Sequence, residues 1–139
     1  MPEAGPVREL RVAVTVPDYD EALPFYRDVL GLTELGTYTA NGGRVTILAA
    51  GRATLELIDP TYAAYIDQVE VGRRVAGPIR VAFEVADSTA MTAKLAEAGA
   101  GVIAPPTRTP WDSLNARLDA PGGLQLTLFE ELGEPGTEG

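Results

Sequence analysis

The chain contains neither cysteine nor histidine. Without cysteine it can form no disulfide, no thiolate nucleophile and no cysteine-ligated zinc site. Without histidine it lacks the commonest general base near neutral pH and the commonest transition-metal ligand, so a serine–histidine triad is excluded. Any proton transfer in a reaction would therefore fall on a carboxylate.

Long apolar runs are also missing: none reaches the roughly 18 residues that cross a membrane. The first residues lack the basic-then-apolar layout of a signal peptide, so a cytoplasmic protein is expected. The net charge of −9 argues against nucleic acid and anionic membranes as partners. With 139 residues, 45% of them hydrophobic and 22% charged, the composition is that of one ordinary globular domain.

One segment occurs twice. Residues 11–18 read Arg-Val-Ala-Val-Thr-Val-Pro-Asp, and residues 80–87 read Arg-Val-Ala-Phe-Glu-Val-Ala-Asp. The alternation of apolar with other residues predicts a half-buried strand in each copy. Asp18 and Asp87, which close the two copies, predict that a helix begins there. A repeated strand–helix start predicts two similar halves.

The remaining patterns complete the two halves. In the first, a helix that starts near Asp20 places Phe25 and Tyr26 in the core and ends at Gly31. Strands follow at 33–39, 44–49 and 53–58. In the second, a helix to about Ala98 precedes strands at 102–104, 114–119 and 124–129, with a loop over 105–111.

These elements predict an α+β fold of two tandem β-α-β-β-β modules. The single domain spans 7–131, with module 1 at about 7–59 and module 2 at about 78–131. An irregular or short-helical connector covers 60–77 between them. Residues 132–139 are rich in glycine, glutamate and proline, and we expect a disordered tail there.

Three segments resemble the vicinal-oxygen-chelate superfamily, which groups glyoxalases, bleomycin-resistance proteins and extradiol dioxygenases. They are Val16-Pro-Asp18, the run Phe-Tyr-Arg-Asp-Val-Leu-Gly-Leu at 25–32, and Asp-Ala-Pro-Gly-Gly-Leu-Gln-Leu at 119–126. The resemblance implies that the modules form concave mixed sheets, with metal ligands on strand positions that face the cavity. It also implies dimers with clefts at the subunit interface. We therefore expect a homodimer.

The resemblance places the metal-ligand positions on Arg11, Glu56, Arg80 and Thr127. Metal-dependent members hold histidine, glutamine or glutamate there, and only Glu56 is of that kind. A divalent transition metal needs three or four lone-pair donors, whereas an arginine side chain has no acceptor and stays protonated. We therefore predict no metal and no cofactor, and we expect neither glyoxalase nor dioxygenase activity.

Glu56 is then expected between Arg11 and Arg80, which leaves two interpretations. The favoured one is an internal ion cluster that replaces the metal as cross-strand support. In the other, one arginine grips the carboxylate or similar anion of a ligand, for which its planar guanidinium is suited.

Two functions follow. The first is a metal-free small-molecule-binding protein of the bleomycin-resistance type that sequesters an antibiotic or metabolite in a cleft. The second is a metal-independent lyase or isomerase with a carboxylate as acid/base; Glu84 is the better candidate because an arginine-paired Glu56 keeps a low pKa. We rank binding above catalysis. A vestigial pocket is the third possibility. The expected ligand-binding residues are Arg11, Glu56, Arg80, Trp111, Thr127 and Phe129.

Overall fold

A computed structural model describes residues 5–133 and gives the element order β-α-β-β-β twice. The predicted α+β fold class is confirmed. The elements are β1 (Val7–Thr15), α1 (Tyr19–Pro24) with a π-helical turn (Phe25–Val29), β2 (Thr33–Ala40), β3 (Gly43–Ala50), β4 (Ala53–Ile58), α2 (Pro60–Glu70), β5 (Ile79–Val85), α3 (Ser88–Glu97), β6 (Gly101–Arg108), β7 (Ser113–Ala120), a 3₁₀ turn (Pro121–Gly123) and β8 (Leu124–Glu131).

The chain divides into two compact units, and the first comprises residues 11–80. Its strand order is β2-β3-β4-β1, with antiparallel pairing from β2 to β3 and from β3 to β4. Its core consists of Tyr19, Leu48 and Leu57, against which α1 packs through Ala22 and Leu23. One side of these strands is therefore covered by α1.

The second unit comprises residues 81–133 together with 5–10. Its strand order is β5-β8-β7-β6, in which β5 and β8 are parallel and the other pairs antiparallel. Its core consists of Val85, Ala116, Leu118 and Leu128, packed against α3. Corresponding strands thus take corresponding places in the two units. The module boundaries at 7–59 and 78–131 stay a prediction, and residues 134–139 of the expected tail lie outside the described residues.

The first helix begins slightly earlier than the proline suggested, because its N-cap lies two positions before Asp20. The Asp18 carboxylate accepts from the N–H of Glu21 at 3.0 Å, so Asp18 and not Asp20 caps α1. Pro24 lies inside the helix, where it cannot donate to the carbonyl of Asp20. The chain continues as a π-helical turn in which the N–H of Leu30 donates to the carbonyl of Phe25 at 2.9 Å.

This change of winding overturns the expectation that Phe25 is a core residue. A spacing of 3.6 residues per turn no longer applies after Pro24, and the Phe25 side chain is 57% exposed. Val29 and Leu30 are exposed as well. Tyr26 is half-buried and packs against the Leu48–Leu57 core, which agrees with its prediction.

The connector is more regular than expected, because α2 is a helix of 11 residues. The Asp59 side chain caps it by accepting from the N–H of Tyr62 at 2.8 Å, and Pro60 occupies the first turn, where no N–H is needed. At the other end, the buried Asp67 carboxylate accepts from the Arg74 guanidinium at 2.6 Å and from the N–H of Val75 at 2.8 Å. Both ends of α2 are thus held by aspartate side chains.

The strand predicted at 102–104 is also longer than expected. β6 extends through Pro105 and Pro106 to Arg108, so the predicted loop over 105–111 shrinks to a turn at Thr109–Asp112. β6 stands at the end of its strand order, where proline is tolerated because no second neighbour needs its N–H. Its register with β7 shifts on either side of Ala104, and the second shift spans the two prolines.

Gly43 gives a direct test of how α2 docks. A Cβ atom at Gly43 would lie 2.2 Å from the Tyr62 nitrogen, which is backbone and cannot swing away. We expect Gly43→Ala to lower the free energy of unfolding by about 1–3 kcal/mol, or roughly 4 °C in Tm per kcal/mol. Gly77→Ala, where nothing lies within 4 Å, is the matched control and should leave Tm nearly unchanged. Equal Tm values for the two variants in thermal denaturation would contradict the docking.

Candidate functional site

Alternation along β4 separates two faces of the first unit. Leu55 and Leu57 point to the side that packs against α1. Thr54, Glu56 and Ile58 point to the other side, which we call the Glu56 face. On β3, the cross-strand partners of these three residues are Ala49, Ile47 and Val45.

The Glu56 face carries an ion pair. A guanidinium nitrogen of Arg11 lies 3.6 Å from a carboxylate oxygen of Glu56, and the two side chains are 29% and 13% exposed. β1 and β4, which bear them, are neighbours in the strand order. The sequence-predicted pairing of Arg11 with Glu56 is therefore present. The guanidinium remains partly open to solvent while the carboxylate is largely covered.

Tyr62 of α2 stands close to this ion pair. Burial raises the pKa of Tyr62 to about 12, and nearby negative charge contributes further, including that of Glu56. The Tyr62 ring meets Tyr65 edge-on, with centroids 5.6 Å apart. Tyr62 carries its phenolic proton at neutral pH, as an unperturbed tyrosine does, and the raised pKa keeps this O–H donor up to a more alkaline pH. α2 brings aromatic surface to the Glu56 face.

Thr54 adds an unsatisfied polar atom to the same face. Its hydroxyl oxygen is buried and has no hydrogen-bond partner within residues 5–133. Thr54 lies two positions before Glu56 on the same strand, so both side chains point to the same side. A buried hydroxyl without a partner is costly, and a polar atom of a ligand or a water would relieve it.

Arg80, the second arginine predicted at the site, is buried at the start of β5. It lines a cavity with room for about one water molecule, together with Thr15 and the buried Asp67. Asp67 was not anticipated from the sequence as a neighbour of Arg80. That Arg80 also flanks Glu56 stays a prediction.

The other predicted residues belong to the second unit. Thr127 and Phe129 are buried on β8. Thr127 is the cross-strand partner of Ala82 and Arg117, and Phe129 is that of Asn115. Glu84, on β5, is half-buried and pairs in parallel register with Phe129. The structure thus brings Glu84 and Phe129 to neighbouring places on one face.

Sequence reasoning missed Arg117, whose side chain is fully buried beside Thr127. Its guanidinium donates to the Gln125 side-chain oxygen at 2.8 Å. A buried hydrogen-bond chain lies further along the same strand, where the Ser113 hydroxyl donates to Asn115 at 2.6 Å. The alternation of Ser113, Asn115 and Arg117 in β7 was the available signal, since it places three polar side chains on one face.

Trp111 lies in the turn between β6 and β7, as the sequence predicted for a loop position. The turn is closed by a hydrogen bond from the N–H of Thr109 to the carbonyl of Ser113 at 2.8 Å. Asp112, the next residue, takes a positive φ of 64°. The indole is half-buried. Whether it contacts a ligand stays a prediction.

The residues at the Glu56 face do not fit a divalent metal. Glu56 is the one carboxylate that the family resemblance places there, and it already faces the positive charge of Arg11. Arg11 offers no lone pair and would repel a cation. Within residues 5–133, no group of three or more carboxylate, histidine or cysteine side chains could hold a metal ion.

Comparison with known families decides the relationship. Residues 10–128 match the model of the Glyoxalase/Bleomycin resistance protein/Dioxygenase superfamily. The chain belongs to this superfamily. The resemblance expected from the sequence is confirmed. No curated protein sequence gave a significant match.

No helix within residues 5–133 is long and apolar enough to cross a membrane.

Solved structures of this superfamily share the fold of the chain. A methylmalonyl-CoA epimerase from Mycobacterium tuberculosis matches with a TM-score of 0.68 and 23% identity over 96% of this chain and 94% of that one. A hypothetical protein from Bacillus halodurans C-125 matches with a TM-score of 0.68 and 20% identity over 89% and 94%. A Streptomyces coelicolor methylmalonyl-CoA epimerase variant with bound 2-nitronate-propionyl-CoA matches with a TM-score of 0.62 and 24% identity over 91% and 97%.

The raised pKa of Tyr62 predicts a pH dependence. Because the folded-state pKa lies near 12 and the unfolded value near 10, the unfolded chain loses this proton first as pH rises. The stabilisation is therefore complete below pH 10 and is lost between pH 10 and 12. Tyr62→Phe should flatten the fall in the free energy of unfolding across that window. It should also lower the total tyrosinate absorbance by the contribution of one of the five tyrosines, and this loss should appear in the step near pH 12. An unchanged step in the variant would contradict the assignment.

Proposed function

We propose that this protein is a metal-free small-molecule-binding protein of the bleomycin-resistance type, which sequesters an antibiotic or metabolite. The observation that carries the proposal is the ion pair between Arg11 and Glu56, at the place where metal-dependent relatives would need lone-pair donors. A guanidinium provides a permanent positive charge in the absence of a metal ion. Its planar fork matches the two oxygens of a carboxylate.

The exposure of the two charges supports an anionic or carboxylate-bearing ligand. The Arg11 side chain is nearly one-third exposed, so a ligand can approach its guanidinium. The Glu56 side chain is largely covered, and its carboxylate lies beside that guanidinium. The unsatisfied hydroxyl of Thr54 and the protonated Tyr62 provide further polar contacts on the same face. Arg80, which lies in the same unit, belongs to the proposed ligand-binding set. Thr127, Phe129 and Trp111 of the second unit stay predictions from the sequence.

The ion pair also argues against Glu56 as a catalytic base. A neighbouring guanidinium favours the ionised form of a carboxylate, and a carboxylate that is stable when ionised accepts a proton poorly near pH 7. Binding of a ligand requires no such proton transfer. We therefore place sequestration before catalysis.

A second function is favoured by one observation in the second unit. Glu84 is half-buried, and within residues 5–133 its carboxylate forms no hydrogen bond or ion pair. Such a carboxylate is available as acid or base. It would suit a metal-independent lyase or isomerase that acts on a carbon acid.

A homodimer and a cytoplasmic location belong to the same proposal. Leu35 on β2 and Val102 on β6 are exposed apolar residues on strands that stand at the ends of their strand orders. Apolar residues at such edges are suited to contact with a second subunit. The net charge of −9 disfavours nucleic acid as a partner.

Isothermal titration calorimetry against antibiotics and carboxylated metabolites, after a thermal-shift screen, tests the proposal. We expect Arg11→Gln to weaken binding of a carboxylate ligand about tenfold or more, since it removes a charged hydrogen-bond donor. Arg52→Gln removes an equal charge from an exposed turn of the same unit and should leave affinity unchanged.

Two results would contradict sequestration, and a third would contradict only the role of Arg11. Conversion of the bound compound that is lost in Glu84→Gln would favour the enzyme. Equal affinities for Arg11→Gln and the wild type would remove Arg11 from the site. Silence across a broad library would favour a vestigial pocket.

A further inference from the structure

Two grooves occupy equivalent places in the two units. The first groove has a volume of about 510 Å³ and is lined by Val16, Pro17, Asp18, Glu21, Ala22, Phe25 and Tyr26. The second groove, of about 220 Å³, is lined by Val85, Ala86, Asp87, Ala90, Met91, Lys94 and Pro6. Apart from Pro6, each residue of the second groove lies 69 positions after one of the first, which is the offset of the repeated segment.

The repeat explains why both grooves exist, but it does not explain why their chemistry differs. Ala22 of the first groove corresponds to the longer Met91, which helps to make the second groove smaller. Glu21 corresponds to Ala90, and Phe25 corresponds to Lys94. The first groove is therefore larger than the second groove, and it has an aromatic ring and a carboxylate at positions where the second groove has neither.

The wall of the first groove offers aromatic surface. Phe25 is 57% exposed, and its ring meets Tyr26 edge-on at 5.1 Å between centroids. Tyr26 packs against the buried core on its other side, which fixes the pair in place. An exposed aromatic side chain held by a packed neighbour is suited to contact a planar or apolar ligand.

The charge on this groove has a single sign. Asp18 and Glu21 line it, and no lysine or arginine is among its lining residues, whereas Lys94 lines the second groove. Asp18 uses one oxygen to accept from the N–H of Glu21. The Glu21 carboxylate is exposed and forms no hydrogen bond or ion pair within residues 5–133. The groove is electrostatically complementary to a cation.

We propose that the first groove binds a small hydrophobic cation, an amine with an aromatic or similarly apolar body. The apolar body lies against Phe25 and Tyr26, whose faces also attract a cation, and the ammonium lies near Glu21. A volume of about 510 Å³ is sufficient for such a ligand. This site lies on the α1 side of the first unit and is independent of the Glu56 face.

Three naphthalene probes that differ in charge test this proposal by calorimetry and NMR. Naphthylmethylamine is the cation, naphthylmethanol the neutral analogue and naphthoate the anion. We expect the cation to bind the wild type about three-fold tighter than the alcohol, as one exposed charge pair would give. The anion should bind weakest, and the shifted amide signals should map to the first groove.

Three variants of the first groove provide the decisive comparison, and two of them carry the residue found at the equivalent place in the second groove. Phe25→Lys should weaken binding of the cation about tenfold, because it removes the aromatic wall and adds repulsion. Ala22→Met should weaken it by filling the groove, and Glu21→Gln should abolish the preference for the cation over the alcohol. Glu97→Gln removes an equal charge from an exposed position on α3 and should leave that preference intact.

Far-ultraviolet circular dichroism of each variant confirms folding, and all three positions are at least partly exposed. The proposal is overturned if the three probes bind equally, if no probe binds at millimolar concentration, or if the shifted signals lie elsewhere. Loss of cation binding in Phe25→Lys with carboxylate binding at Arg11 preserved would separate this site from the Glu56 face.

Discussion

The pairing of Arg11 with Glu56 joins β1 and β4, which are neighbouring strands of the first unit. Glu56 is only 13% exposed, and a covered carboxylate is costly unless a positive charge lies beside it. β1 supplies that charge from the neighbouring place in the strand order, so the two strands must keep their relation. The same pair places beside Glu56 a cation that offers no lone pair to a divalent metal. One contact thus links strand arrangement to the chemistry of the site.

The surroundings of this pair depend on how α2 is held. Asp59 caps the helix, and the absence of a side chain at Gly43 lets the helix backbone pack closely against β3. Asp67 accepts a hydrogen bond from Arg74, in the segment that follows the helix. These contacts position Tyr62, whose pKa is raised first by burial and further by the charge of neighbours that include Glu56. The opposite side of the unit carries α1 and the first groove. The first unit therefore presents two surfaces of opposite electrostatic preference, a guanidinium on one and carboxylates on the other.

The repeated segment was sufficient to predict the strand–helix order of both modules, because alternation and an aspartate cap are local signals. It was also sufficient to pair Arg11 with Glu56 once the family positions were applied. Phe25 could not be placed, because Pro24 changes the helical winding that the periodicity assumes. Arg117 was missed because arginine is usually a surface residue and the sequence alone does not mark this one as buried. Its position opposite Thr127 on the neighbouring strand shows that it lies in the interior.

We propose that a guanidinium takes the place of the metal at Glu56. Titration of the purified protein with Co²⁺, followed by calorimetry and by the visible absorption of bound cobalt, tests this proposal. We expect no saturable site and no change in the spectrum up to millimolar Co²⁺. Stoichiometric binding that is lost in Glu56→Gln would contradict it, because Glu56 would then serve a metal and not Arg11.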